Sequence, residues 1–270
     1  LRIKSVIVGL SALFLFTVVP AWSQSTGTSK PQPPPISDTE RKAIETVVRE
    51  YLLANPSLLR EMIQALREHE ERERSDRAAG ALKTYKDQIY NDPDSPVTGN
   101  PNGDITIVVF LDYNCGYCRS NLPLVKALVA KDKMIRVIYK ELPILGPNSE
   151  IAARAAVAAH RQGKYLEFQD ALFRSNGVGA ATIRSVATSL GMDYAALSKD
   201  MADQKVRSAI ERTRTLADAL GIDGTPAYII GTQLIPGAVD ADVLDQIVAE
   251  ERAKLPKTGP ERSSQGPKQN

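Results

Sequence analysis

The chain holds 270 residues, of which 43% are hydrophobic and 24% charged, an ordinary globular composition sufficient for one large domain or two modest ones. Lys and Arg number 34 against 32 Asp and Glu, leaving +2, so there is no cationic surplus for neutralising phosphate and nucleic acid is not an expected partner. The two cysteines, Cys115 and Cys118, would close so short a loop that a bridge contributes only about 2 kcal/mol, which excludes a disulfide-stapled scaffold. With two distant histidines, His69 and His160, they leave too few ligands for a closed structural zinc site, and neither metal nor cofactor is expected.

Arg2 and Lys4 precede an apolar run from Val6 to Val19, and the small residues Ala21 and Ser23 follow Pro20. This pattern reads as a signal peptide over 1–23, since 14 apolar residues interrupted by Gly9, Ser11 and Thr17 fall short of the ~20 that span a bilayer. Export places the protein in the periplasm, where disulfides form and persist. Residues 24–36 (with STGTSKPQPPP at 25–35) and 256–270 lack apolar periodicity and are expected to be a flexible linker and a disordered tail.

Ser37 followed by Glu40 is a capping box, and Ile44, Val47, Val48, Tyr51 and Leu52 then recur at helical spacing. Asn55-Pro56 breaks the pattern and Leu58, Leu59, Met62, Ile63 and Leu66 restart it, which predicts a short helical hairpin. The charge-balanced REHEERERSDR over 67–77 and the sparse stripe Ala78, Ala81, Leu82, Tyr85 and Ile89 predict a solvated connecting helix. Two apolar stripes this short cannot bury themselves, so residues 37–90 are expected to form a homo-oligomer; the alternative is packing back on the rest of the chain.

Turn-rich Asn91-Asp92-Pro93-Asp94 and Gly99–Gly103 mark a boundary, and residues 91–255 form the second domain. Asp104 to Leu111 reads as a buried strand, 116–131 as a helix and Met134 to Tyr139 as a second strand. A helical insertion follows over 148–220, then two strands around Gly231-Thr232 and a last helix from Asp240 to Lys254. The class is α/β.

Cys115-Gly116-Tyr117-Cys118 sits where a strand ends and a helix begins, so the Cys115 sulfur is expected beside unpaired N–H groups and the positive end of the helix dipole, which favour a thiolate. Cys118, one turn later, is placed to resolve a mixed disulfide formed on Cys115. Asp112 and Asn114 are candidate caps for this helix, and Arg119 is either a thiolate neighbour or a solvated charge. Pro123 implies a kink or a shorter helix.

The segment FLDYNCGYC, the helix with Pro123, the helical block and Gly224-Thr225-Pro226-Ala227 leading into a strand resemble the DsbA branch of the thioredoxin superfamily over residues 97 to about 255. The resemblance implies a thioredoxin-like fold with an inserted helical domain, a cis Pro226, and a Thr225 that borders the active cysteine. From the residues alone, a proline opening a strand is an edge or turn proline in trans. If cis, it would expose the Thr225 backbone to an extended substrate segment, with Pro226 and Tyr117 also in contact with substrate. The Gly116-Tyr117 pair with Thr225 is similar to exported disulfide isomerases of the DsbC type. With YLLANPSLL upstream, residues 37–255 resemble the ScsC-type proteins, DsbA-like domains carried on an N-terminal α-helical oligomerisation stalk. One departure is visible: the superfamily commonly places a buried acid six residues before the first cysteine, where Val109 stands here. Glu141 offers another proton route through water, although a carboxylate of this kind is expected at the surface.

These features point to a periplasmic thiol–disulfide oxidoreductase acting on unfolded or misoxidised exported proteins, with a membrane redox partner that reduces or oxidises it. A stalk favours a disulfide isomerase; a dithiol oxidase would follow if residues 37–90 packed on the catalytic domain as a monomer. A copper-binding thiol module holding Cu(I), and a peptide-binding chaperone using Tyr117, Leu142, Pro143 and Ile144, are the other readings. His69 and His160 are assigned to a charged helix face and an Ala-rich helix.

Overall fold

The structure, a computed structural model, describes residues 36–256. The expected signal peptide, and all but the last residue of the linker and the first of the tail, lie outside the described residues. The chain divides into two units between Met62 and Ile63.

In the first unit, α1 (Asp38–Ala54) opens on the expected capping box: the Glu40 N–H donates to Ser37 Oγ at 3.3 Å and the Ser37 N–H to Glu40 Oε2 at 2.9 Å. It ends at Asn55, and Pro56 opens α2 (Pro56–Thr84), where a missing N–H costs nothing. α1 buries no residue; its stripe Ile44, Val47, Val48, Tyr51 and Leu52 is 45–64% exposed. The second stripe is not the arm of a short hairpin followed by a separate helix. α2 runs through the charged segment as one helix of 29 residues, because REHEERERSDR holds no glycine or proline and is rich in good helix formers.

In the second unit, the end of α2 buries Ala78, and α3 (Lys86–Tyr90) buries Ile89 completely. The segment read as a turn-rich boundary contains an edge strand, β1 (Val97–Gly99), too short to show a period of two. Gly99 closes it at φ +72°, and a side chain there would meet the Ile135 carbonyl at 2.4 Å. β2 (Ile105–Leu111), α4 (Gly116–Lys131) and β3 (Ile135–Glu141) form the expected β-α-β unit, with β2 and β3 parallel. The insertion is five helices: α5 (Pro147–Arg161), α6 (Tyr165–Arg174), α7 (Ala180–Ser189), α8 (Tyr194–Ala202) and α9 (Gln204–Leu220). Gly221, at φ +70°, stops α9 in the left-handed conformation. β4 (Ala227–Ile230), β5 (Gln233–Pro236) and α10 (Ala241–Ala253) complete the chain, and Asp240 precedes α10 without a side-chain cap bond.

The sheet has the order β1-β3-β2-β4-β5. Strand alternation separates its two faces. Ile107, Val109 and Leu111 point into a core shared with α4 to α8 and both cysteines, whereas Val108 and Phe110 point into a second core closed by α3 and by Leu216, Ala217 and Leu220 of α9. β2, central and covered on both faces, therefore reads as a continuous apolar run, and its end carries the loop to Cys115.

Candidate active site

The loop after β2 is fixed by a buried carboxylate. Asp112, 1% exposed, accepts hydrogen bonds from the N–H groups of Asn114 (2.7 Å), Ile144 (2.8 Å) and Leu145 (2.9 Å) and from the Ser149 hydroxyl (2.7 Å). Asn114 Nδ2 donates to the same hydroxyl at 2.8 Å. Neither residue caps α4, contrary to expectation: both are committed to tying this loop to the segment after β3 and the start of α5. The N-cap position falls to Cys115, with no side-chain hydrogen bond to the first turn, so the helix opens its N–H groups beside a sulfur.

Both cysteines are free thiols. Cys115 is 7% exposed, and its Sγ donates to the Thr225 carbonyl at 3.0 Å. The Thr225–Pro226 peptide is cis, the isomer the family resemblance implies. Cys118 is fully buried, and burial pushes its thiol well above the ordinary value, opposed by the Asp112 backbone N–H and the Thr225 hydroxyl. That hydroxyl is buried and is committed to no other hydrogen-bond partner among the described residues, so it stays available to a charge forming on sulfur. The two cysteines are thus unlike: one sits at the rim beside Tyr117, which is 70% exposed, and the other is sealed one turn behind it. α4 continues through Pro123 to Lys131.

The structure corrects the surface reading of Glu141. It is 3% exposed, with Oε1 accepting from the Tyr113 hydroxyl (2.9 Å) and the Tyr165 hydroxyl (2.6 Å), while Oε2 has no partner among the described residues. Burial raises its pKa to about 8 against the two tyrosine hydrogen bonds. No described bond joins it to either sulfur. Leu142 and Pro143 are buried, so of the apolar set only Tyr117 and Ile144 face outward, joined by Leu145 at 51% exposure. Arg119 is exposed and makes no ion pair among the described residues. His69 contacts Glu73 at 3.7 Å on an exposed helix face, and His160 meets the Tyr165 ring edge-on at 6.2 Å; neither belongs to the site. Among the described residues no His, Cys, Asp and Glu cluster is arranged to hold a metal ion, and no helix is long and apolar enough to cross a membrane.

Two site residues escaped the sequence reading. Tyr228, fully buried two residues after Pro226, lies opposite Val109 in the β2–β4 register, and its hydroxyl donates to Asn121 Oδ1 at 3.0 Å. Their signal was faint: a tyrosine inside the apolar run AYII and an amide on the buried face of α4. Beside the cis-proline loop a groove of about 720 Å³ is lined by Gly224, Thr225, Leu234 and Pro236 and by Arg67, Glu70 and Arg74 of α2.

Comparison with known proteins places this geometry. The Na(+)/H(+) antiporter NhaA 3 of Salinispora tropica is 29% identical over 161 residues, covering 58% of this chain and 25% of that protein, so the chain spans about a quarter of the length of that relative. The thiol:disulfide interchange protein DsbA of Bordetella parapertussis is 25% identical over 199 residues, covering 64% of this chain and 90% of that one. Among solved structures, a thioredoxin-like oxidoreductase from Silicibacter pomeroyi is 41% identical with a TM-score of 0.61, covering 63% of this chain and 98% of its own. A linker-deletion mutant of Proteus mirabilis ScsC is 29% identical with a TM-score of 0.64, covering 83% of this chain and all of its own. Residues 40–73 match the copper resistance protein ScsC N-terminal domain, and residues 106–249, more than half of the chain, match the DSBA-like thioredoxin domain. The chain therefore belongs to the DSBA-like thioredoxin family.

Proposed function

We infer that this protein is a periplasmic disulfide isomerase that reshuffles bonds in exported proteins through Cys115 and Cys118, assembled as an oligomer through its first helices. The observation that carries the reading is the inequality of the two sulfurs: one at an uncapped helix N-terminus at the rim, the other sealed one turn behind. The Cys115 thiolate attacks one sulfur of a substrate disulfide; the other substrate sulfur leaves as a thiolate and takes up a proton. The mixed disulfide is then resolved either by a second substrate thiolate, which leaves the enzyme reduced, or by Cys118, which leaves Cys115–Cys118 oxidised and the substrate reduced. The extended groove beside Thr225 suits an unfolded segment, held through its backbone with little demand on sequence.

The exposed stripe on α1 supports association, and association favours isomerase over oxidase because a crowded site is shielded from an oxidising partner. The test is refolding of a scrambled multi-disulfide protein by the full chain and by a Val48→Glu/Leu52→Glu variant. The variant is expected to lose isomerase activity while still reducing a small disulfide. Equal refolding by both would overturn the role of the stalk, and formation of bonds in a fully reduced substrate without rearrangement would make the protein a dithiol oxidase.

A second reading is favoured by the match of residues 40–73 to a copper resistance domain: reduced Cys115 and Cys118 as a two-thiolate Cu(I) site. Cu(I) titration of wild type against Cys118→Ser decides it, since stoichiometric tight binding lost in the variant supports a copper role and equal weak binding removes it.

A further inference from the structure

The groove beside the cis-proline loop reaches Thr225, whose carbonyl meets Cys115 Sγ at 3.0 Å, and both of its sides belong to the second unit. The two sides differ in chemistry. One is α2, which presents Arg67, Glu70, Glu71 and Arg74 on exposed turns before the helix becomes buried at Ala78. The other is the apolar set Ile222, Ala227, Leu234 and Pro236, with Asp223 at its edge and the backbone of Gly221, Gly224 and Gly237. A Cβ on any of these three glycines would meet nothing within 4 Å, so the main chain there lies open. Among the described residues the N–H groups of Gly224 and Thr225 have no hydrogen-bond partner, which leaves them to an incoming strand.

The charges on α2 are also unspent. Arg67 with Glu71, and Glu70 with Arg74, stand four residues apart, the spacing at which opposite charges pair along a helix. Neither pair forms among the described residues: the side-chain bonds of this charged stretch join His69 to Glu73 and Gln64 to Glu68, none of which lines the groove. From Arg67 to Ala78 the helix runs about 16 Å, and an extended chain covers that distance in about five residues. Successive side chains of such a chain point to opposite sides, so one set meets the apolar wall and the other meets charges of both signs.

We propose that the charged turns of α2 are the specificity wall of the exchange site. The substrate it fits is an extended segment beside a reactive cysteine in which apolar and charged side chains alternate, the pattern of a half-buried strand that an unfolded exported protein exposes. This rests on Cys115 being the attacking sulfur of the exchange inferred above, and it makes α2 a determinant of what is bound as well as the connection to α1.

The experiment uses the full reduced chain and peptides in which a cysteine adjoins five residues, its sulfur held in a disulfide with a chromogenic aryl thiol. The Cys115 thiolate bonds to the peptide sulfur, the bond to the aryl sulfur breaks, and the aryl thiolate leaves, so its absorbance reports the rate of attack. A Val-Glu-Val-Lys-Val segment is expected to react about fivefold faster at low peptide concentration than the same segment with glutamine at both charged positions, the effect of two or three exposed ion pairs. It should exceed the order Val-Val-Val-Glu-Lys by a similar factor. Arg67→Gln/Glu70→Gln/Glu71→Gln/Arg74→Gln is expected to erase the first advantage. Its melting temperature and its attack on the symmetrical aryl disulfide should stay at wild-type values, because the four side chains are exposed and glutamine is a good helix former. Arg67→Gln/Arg74→Gln alone should lose only the share owed to the peptide's glutamate. Survival of the charged segment's advantage in the fourfold variant, or equal rates for the alternating and the block order in wild type, would overturn the assignment. Failure of the wild-type chain to attack even the aryl disulfide would instead remove the exchange reading itself.

Discussion

α1 and α9 are both 17 residues long and both carry an apolar stripe, yet α9 buries Val206, Ala209, Ile210, Thr213, Leu216, Ala217 and Leu220 whereas α1 buries nothing. The stripe on α9 is finished by its own chain: Leu216, Ala217 and Leu220 pack against the sheet, and Val206, Ala209 and Ile210 against Ala153 and Val157 of α5. The stripe on α1 is left in water, where each large apolar side chain forgoes roughly 1.5–3 kcal/mol that burial would supply. Amphipathic spacing thus announces that a helix has a partner without saying whose chain provides it. The difference also sorts what each region contributes: a core that holds two sulfurs rigid, and a surface that gains stability only from outside.

The largest expected effect tests the contrast directly. Leu216→Ala removes a side chain that is 2% exposed in the second core and is expected to cost about 2–5 kcal/mol in denaturant unfolding. Leu52→Ala, at a position 45% exposed, is expected to stay within about 0.5 kcal/mol in the dissociated chain. Equal costs at low protein concentration would mean that α1 is already covered within a single copy, and the comparison would fail.

The same contrast predicts a concentration dependence. If copies of α1 cover one another, Leu52→Ala becomes destabilising as protein concentration rises, because the assembled state alone uses that side chain. Sedimentation should show wild type heavier than Val48→Glu/Leu52→Glu, with the melting of the second unit unchanged between them. A mass that does not differ would leave the exposed stripe of α1 to a partner of another kind.

Much of this arrangement was legible beforehand because the signals were local. The capping box at Ser37, the β-branched run into Cys115 and the strand pair around Gly231 each depend on neighbours within a few residues. What was missed depends on residues far apart. β1 is three residues long and becomes a strand only by pairing with β3. Asp112 looked like a helix cap because the groups it serves, at Ile144, Leu145 and Ser149, lie more than 30 residues away. Glu141 looked like a surface acid because nothing adjacent to it reveals Tyr113 and Tyr165, and Tyr228 was hidden in an apolar run because its one polar partner sits on another element.

Glu141 also supplies the finest division between the two regions, through pH. In the first unit Glu40 is fully exposed, and its hydrogen bonds with Ser37 hold its carboxyl below the ordinary 4.5, so the stability it adds is present at neutral pH and lost as pH falls through that lowered value. Glu141 runs the other way. Below about 4.5 folded and unfolded chains both hold its proton; between there and its folded value of about 8 only the folded chain does. Stability therefore falls as pH rises through that window, and the loss is complete above the folded value. Glu141→Gln keeps an acceptor for Tyr113 and Tyr165 without a titrating group, so its unfolding free energy should be flatter than that of wild type from pH 5 to 8, with the slopes converging above about pH 8. Parallel curves for the two proteins would show that Glu141 is ionised in the folded chain, and that the second unit tolerates a buried carboxylate as readily as the first tolerates an exposed one.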